Sequence, residues 1–253
     1  MKWISAKKWQ SAAYPAAALL LLLGLWWLLC RIEAVPAYML PSPSAVVKAF
    51  VNDFSLLMSH SKTTLFEGLF GLGLSVILSL VLSVLMDEIR PLRRAVYPLL
   101  VLSQTIPVMA IAPLLVLWLG YGITPRIVLV VLMCFFPVTI GLLDGFSACD
   151  EGYIHFLKTL RANRWQVLVH AKLPMAMPHF FAALKISAAY SIVGAVISEW
   201  LGGNEGLGVY MTRVRKSYSF DKMFAVILLI MLLSLMLMLC IALLQKICTP
   251  QKK

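Results

Sequence analysis

LFEGLFGLGLSVILSLVLSVLM, Leu65–Met86, is 22 residues of almost unbroken apolar character. Crossing the hydrocarbon core of a bilayer takes about 20 such residues. Lipid offers the backbone no hydrogen-bond partner, so a run of this kind must be a helix. Five further runs of similar character lie on either side: Tyr14–Leu29, Val96–Leu119, Ile127–Phe146, Ala182–Leu201 and Met223–Leu244. The expected fold class is therefore all-α, a polytopic membrane protein with six transmembrane helices.

Composition agrees. Of 253 residues, 61% are hydrophobic and 13% charged, against about 45–50% and about 25% in soluble domains. The six runs leave no room for a separate soluble domain. The formal net charge is +11, but the cations sit between the apolar runs rather than on one basic face. They read as topological charge, and no nucleic-acid partner is expected. Cys30, Cys134, Cys149, Cys240 and Cys248 form no CxxC pair and read as packing residues. The first run, preceded by Lys2, Lys7 and Lys8, also fits a signal peptide. Its length and Trp26-Trp27 favour a retained span.

Orientation follows from the cations. With both termini in the cytoplasm, 14 of the 22 Lys and Arg fall on the inner side and eight on the outer, as the positive-inside bias requires. The outer segments are then Arg31–Thr63, Gly120–Arg126 and Gly202–Asp221. The inner ones are the tight Asp87–Arg94 turn and the long Ser147–Phe181 loop. Ser44–Met58 is amphipathic enough for a short interfacial helix. The organisation is a helix and external loop over 1–63, a core over 64–246 with its inner loop at 147–181, and a cytoplasmic tail over 247–253.

The inner loop is the most informative segment. DEGYIHFLKTLRANRWQVLVHAKLPMAMPHF, Asp150–Phe180, is too polar to span and too patterned to be a linker. Ile154, Leu157 and Leu160 recur every three residues, a helical stripe. Asn163 suits a turn, Trp165–His170 resumes the helix, and Pro174 and Pro178 should stop it before the fifth span. Such a helix–turn–helix suits docking into a partner or packing on its own bundle.

This loop resembles the "EAA" loop of ABC importer permeases. Leu173-Pro174 falls where that pattern has Leu-Pro, and Thr159-Leu160 and Ala162 fit its usual context. Arg161 stands at the family's glycine position, His155-Phe156-Leu157 at its Glu-Ala-Ala, and Ala171 at its Ile. LPSPSAVVKAF (Leu40–Phe50), QTIPVMAIAPLLVLWLGYG (Gln104–Gly122) and ISEWLGGNEGLGVYM (Ile197–Met211) are similar to segments of the sulfonate, taurine, nitrate and pyrimidine-type permeases, in family order. The resemblance covers residues 36–245.

It implies a type I ABC importer permease fold in the plasma membrane. Two copies would line a pathway, a separate ATP-binding subunit would grip the inner loop, and an external solute-binding protein would deliver the solute. Coupling would fall to Ile154, Leu157, Leu160, Arg161, Ala162, Trp165, Leu173 and Pro174. The chain has no GxxxxGK[ST] phosphate loop, so ATP would be bound by the partner, with no cofactor of its own. The solute would be a small organic molecule, a pyrimidine precursor of thiamine first, then aliphatic sulfonates, taurine or nitrate. The alternative is a secondary transporter without an ATPase, which calls for internal repeats and midplane charges.

Polar residues in or near spans tend to face an interior. Gln104, Pro107 and Glu199 are the pathway or gate candidates, Glu199 as a gate, a binding-protein contact or a plain helix-end residue. Asp144 and Lys185 lie close enough in pattern to form a salt bridge. Gly68, Gly71 and Gly73 permit close helix approach, and Pro107 and Pro113 kink or break the third span. Met231, Met236 and Met238 read as lipid-facing or packing surface, and no metal site is expected.

Overall fold

In the computed structural model residues 2–36 and 38–249 are described, with side chains from residue 13 onward. Residues 250–253 of the expected tail, and the side chains of Lys2, Lys7 and Lys8, lie outside that range. Eleven α-helices follow in order among the described residues: α1 Lys2–Arg31, α2 Pro43–Asn52, α3 Phe54–Glu88, α4 Arg90–Ser103, α5 Val108–Leu119, α6 Ile123–Ser147, α7 Glu151–Thr159, α8 Arg164–Val167, α9 Leu173–Glu199, α10 Leu207–Lys216 and α11 Phe220–Cys248. A π-helical turn, Leu168–Lys172, joins α8 to α9. Five spans are long and apolar enough to cross a membrane, and α4 with α5 makes a sixth that is bent by 102°. The chain is a multi-pass membrane protein.

The chain divides into two compact units, 1–57 with 211–228 and 58–210 with 229–253. In the first, α2 starts at Ser42, whose hydroxyl accepts from the Ala45 amide, with Pro43 in the first turn. Val46 and Ala49 of α2 are buried with Ala225 of α11 against Trp26, Phe50 and Phe224. Trp26 donates to the Pro41 carbonyl at 3.1 Å, and Lys222 pairs with Asp53 at 2.9 Å. The amphipathic segment expected over Ser44–Met58 is split, because α2 ends at Asn52 and Phe54 already opens α3.

In the second unit α3, α6 and α9 pack through small residues. A Cβ on Gly71 would lie 2.5 Å from Val130, and one on Gly141 or Gly145 would meet Ala183 at 2.5 Å or Ala176 at 2.6 Å. Without the hydrophobic effect between helices in lipid, such close approach supplies the packing energy. Gly68 serves the same seam, 3.2 Å from Ile192, whereas Gly73 faces open space. Hydroxyls stitch the seam: Ser79 donates to the Phe135 carbonyl at 3.0 Å, Ser83 to Thr139 at 3.3 Å and Ser187 to Cys134 at 3.2 Å. Met231 and Met236 are exposed on α11, while Met238 packs on the core.

One expectation holds at Pro107, and two need correction. The run Val96–Leu119 is interrupted, as its prolines led one to expect. It breaks at Gln104–Pro107, where Pro107 precedes α5 without an amide to continue the ladder. Pro113 lies inside α5 and breaks nothing. Pro174 and Pro178 do not stop the inner-loop helix either. Pro174 stands in the first turn of α9, just after the π turn has shifted the hydrogen-bond register, and Arg164–Glu199 runs on as one helical span of 36 residues. Finally, Lys185 does not pair with Asp144. It donates to Gln245 at 2.5 Å, and Asp144 is exposed.

Candidate functional site

Two polar regions stand at opposite ends of the α9 span. The inner one is a foot made of α7, a turn and α8. Asp150 caps α7, its Oδ1 accepting from the Tyr153 amide at 2.8 Å. The C-terminus closes as a Schellman turn, with the Ala162 amide bonded to the Leu157 carbonyl at 3.0 Å and that of Arg161 to Lys158 at 2.9 Å. Such a turn puts the residue after the cap in the left-handed region, and Arg161 has φ +59°. The glycine of the family pattern has its physical reason here, since only glycine takes that conformation without a Cβ penalty. Asn163 then opens α8 with a reciprocal capping box, Gln166 amide to Asn163 Oδ1 and Asn163 amide to Gln166 Oε1, each at 2.8 Å.

The foot is fastened to the bundle by charge and by a buried edge. Lys172 pairs with Asp87 at 2.6 Å, Arg93 donates to Ser147 at 2.8 Å, and Arg164 reaches Glu88 at 3.5 Å. Val167, Leu168 and Ala171 are buried. Cys149 donates to the Met175 sulfur at 3.3 Å, and burial pushes its thiol pKa up against the pull of Lys172.

The expected stripe divides. Ile154, Leu157, Ala162 and Leu173 are half-buried against the body, whereas Leu160, Arg161, Trp165 and Pro174 are exposed. The outward apolar edge is Tyr153, Phe156 (57% exposed), Leu160 (64%) and Trp165 (66%). Tyr153 and Phe156 were not singled out. Their spacing of i, i+3 and i+7 with Leu160 was the available signal.

At the other end Glu199 is 1% exposed. Its carboxylate accepts from the Thr64 hydroxyl at 2.7 Å and from the Gly208 amide at 2.6 Å. Thr64 accepts from the Leu207 amide at 2.9 Å, and His60 Nδ1 accepts from Gly206 at 3.0 Å. Arg126 donates to Glu67 at 2.7 Å and to the Gly202 carbonyl. The loop lies so close that a Cβ on Gly206 would fall 2.2 Å from the Glu199 carboxyl carbon and one on Gly203 would overlap the Arg126 guanidinium. Glu199 in this structure is thus buried and held by the Thr64 hydroxyl and the Gly208 amide.

Arg126, read from sequence as a loop charge, belongs to the first turn of α6 and is buried. Glu67, Thr64 and His60 went unnoticed as well. Their partners lie 59 to 146 residues away, so no local pattern joins them. Gln104 and Pro107 stand exposed at the α4–α5 break, apart from this cluster. Among the described residues no three His, Cys, Asp or Glu side chains converge as metal ligands would.

Comparison with known proteins gives a consistent picture. The family model described as binding-protein-dependent transport system inner membrane component matches residues 71–252. The chain is 36% identical to a formylaminopyrimidine transport permease protein of Halalkalibacterium halodurans, covering 98% of this chain and 99% of that one. It is 32% identical to a riboflavin transport system permease protein of Chloroflexus aurantiacus, over 95% of this chain and 90% of the other. Among solved structures, an amino acid ABC transporter crystallised with histidines superposes with a TM-score of 0.62 at 16% identity, covering 80% of this chain and 96% of that chain. The last likeness establishes the type I permease fold.

Proposed function

The chain belongs to the family of binding-protein-dependent transport system inner membrane components, and from that premise we propose that two copies of it form the permease of an ATP-driven importer. The 64–246 core carries the pathway. Both termini and the foot lie in the cytoplasm, where the cation bias puts them. A separate ATP-binding subunit grips the foot and performs the hydrolysis. An external solute-binding protein delivers the cargo.

The observation that carries this reading is the foot itself. It exposes four large apolar side chains on a polar loop, yet it is fixed to the bundle by the Lys172–Asp87 pair and a buried edge. Aromatic anchors on a rigid support are what a protein interface uses, and a rigid foot passes displacement on rather than absorbing it. Closure of the ATP-binding subunits would move Tyr153, Phe156, Leu160 and Trp165 as one body with α9. Gln104 and Pro107, at a bend exposed in the single chain, suit a pathway lining between the two copies, because irregular backbone is tolerated at membrane depth where it lines a cavity.

The solute is a small nitrogen heteroaromatic, a thiamine pyrimidine precursor first. Formylaminopyrimidine and riboflavin, named for the two relatives above, share a pyrimidine ring. Aliphatic sulfonates, taurine and nitrate come next.

The test is reconstitution of the chain into liposomes with an ATP-binding subunit and a binding protein from the same genome. Pyrimidine uptake should require ATP and should raise ATP hydrolysis. Uptake by this chain alone, driven by an ion gradient without nucleotide, would establish the secondary-transport alternative instead.

A further inference from the structure

We propose that the chain binds an anionic phospholipid by its phosphate, in the groove between the foot and the α3–α4 turn. The groove has a volume of about 1100 Å³. Its floor is apolar in part: Ile154 and Ala162 are half-buried and offer surface, and buried Met86 and Phe146 complete the lining. Its rim is cationic. Five basic side chains line it, Arg90, Arg93, Lys158, Arg164 and Lys172, against three acidic ones, Asp87, Glu88 and Glu151. Two of the acids are already committed, Asp87 to Lys172 and Glu88 to Arg164. Arg93 donates only to a neutral hydroxyl, that of Ser147. Among the described residues Arg90 and Lys158 have neither an ion pair nor a side-chain hydrogen bond.

Three cations without an ion pair, Arg90, Arg93 and Lys158, against the one acid left over, Glu151, beside apolar side chains match the layout of a glycerophospholipid, with its phosphate at the rim and its glycerol and first methylenes below. A soluble phosphate ester would need the rim but not the floor. The position fits the same source. The groove lies where the spans α3 and α6 end, at Glu88 and Ser147, which is headgroup depth. Basic pockets between helices at such a level recognise anionic headgroups. The assignment to the cytoplasmic leaflet rests on the orientation proposed above, but the site does not. Two of the expected coupling residues, Ile154 and Ala162, line the groove, whereas the outward side chains of Tyr153, Phe156, Leu160 and Trp165 do not.

The full chain, purified in neutral detergent and given equal phosphatidylglycerol and phosphatidylcholine, is analysed by native mass spectrometry. One phosphatidylglycerol should stay bound through washing, and phosphatidylcholine should not. A cation beside anionic lipid contributes roughly a fivefold factor, so Arg90→Gln with Lys158→Gln should cut retention about 25-fold. The swap Arg90→Lys with Lys158→Arg should restore it, which separates charge from misfolding, and Arg31→Gln should leave it unchanged. Three outcomes overturn the proposal: equal retention by the double Gln variant, equal retention of phosphatidylcholine, or full displacement by millimolar inorganic phosphate, which would make the site one for soluble phosphate. None of these bears on ATP-driven uptake, so the transport reading stands or falls separately.

Discussion

At its Glu199 end α9 is held by buried charge and close backbone contact, while at its Arg164 end the same span meets an exposed foot tied on mainly through its base. The first region spends polar groups internally. Glu199, Thr64, Arg126 and Glu67 satisfy one another and the glycine loop 202–208, with Glu67 Oε2 and Arg126 Nε left unpartnered in the interior. The second keeps its caps for itself and turns four apolar side chains outward. A buried cluster whose polar groups bond mainly to one another serves shape, whereas an exposed apolar edge on a well-capped loop serves a partner. Both segments matched family patterns in sequence, so similarity alone did not distinguish these jobs.

Stability is the common ruler on which this contrast can be broken. The largest effect should come from Arg126→Met, which leaves Glu67 as a buried carboxylate without its counter-ion. Loss of one member of a buried pair costs about 3–5 kcal/mol, and thermal unfolding in detergent should show it. A Tm unchanged from wild type would mean that the Glu199 end is wetter and looser than its geometry. An intermediate effect of opposite sign should follow Arg161→Gly, because a left-handed residue with a Cβ carries a strain of about 1–2 kcal/mol that glycine relieves at some cost in chain entropy. The net should be a gain of up to about 1 kcal/mol, read as a higher Tm. The smallest change in stability should come from Phe156→Ala with Trp165→Ala, within about 0.5 kcal/mol because exposed side chains lose little on truncation. That variant should nevertheless fail to co-purify with the ATP-binding subunit. Full co-purification would remove the foot from the interface.

Much of this was legible beforehand. Hydropathy alone located the five long spans and the bent α4–α5 pair, because lipid forces the backbone into helices and the apolar length is fixed by bilayer thickness. The foot was legible as a helix–turn–helix because Asn163 and the Ile154–Leu157–Leu160 spacing are local signals. Which side of that stripe faced outward was not, since a three-residue repeat drifts round a helix of 3.6 residues per turn. Leu157 went in and Leu160 out. The prolines were read correctly as disturbances but not by outcome. Pro107 breaks its span, whereas Pro113, Pro174 and Pro178 sit in continuous helix, and nothing local to each proline separates the cases. The Glu67–Arg126 pair was invisible because a charge near the end of an apolar run looks the same whether it snorkels to water or turns inward to a partner on another helix.

The π turn carries a mechanical consequence. By joining α8 to α9, it makes Arg164–Glu199 a single strut of 36 residues, roughly 54 Å long at the helical rise. A strut of that length works as a lever. Rocking the foot by about 5° would sweep the far tip through roughly 5 Å, so a displacement at one end of the strut reaches the Glu199 end through a single element.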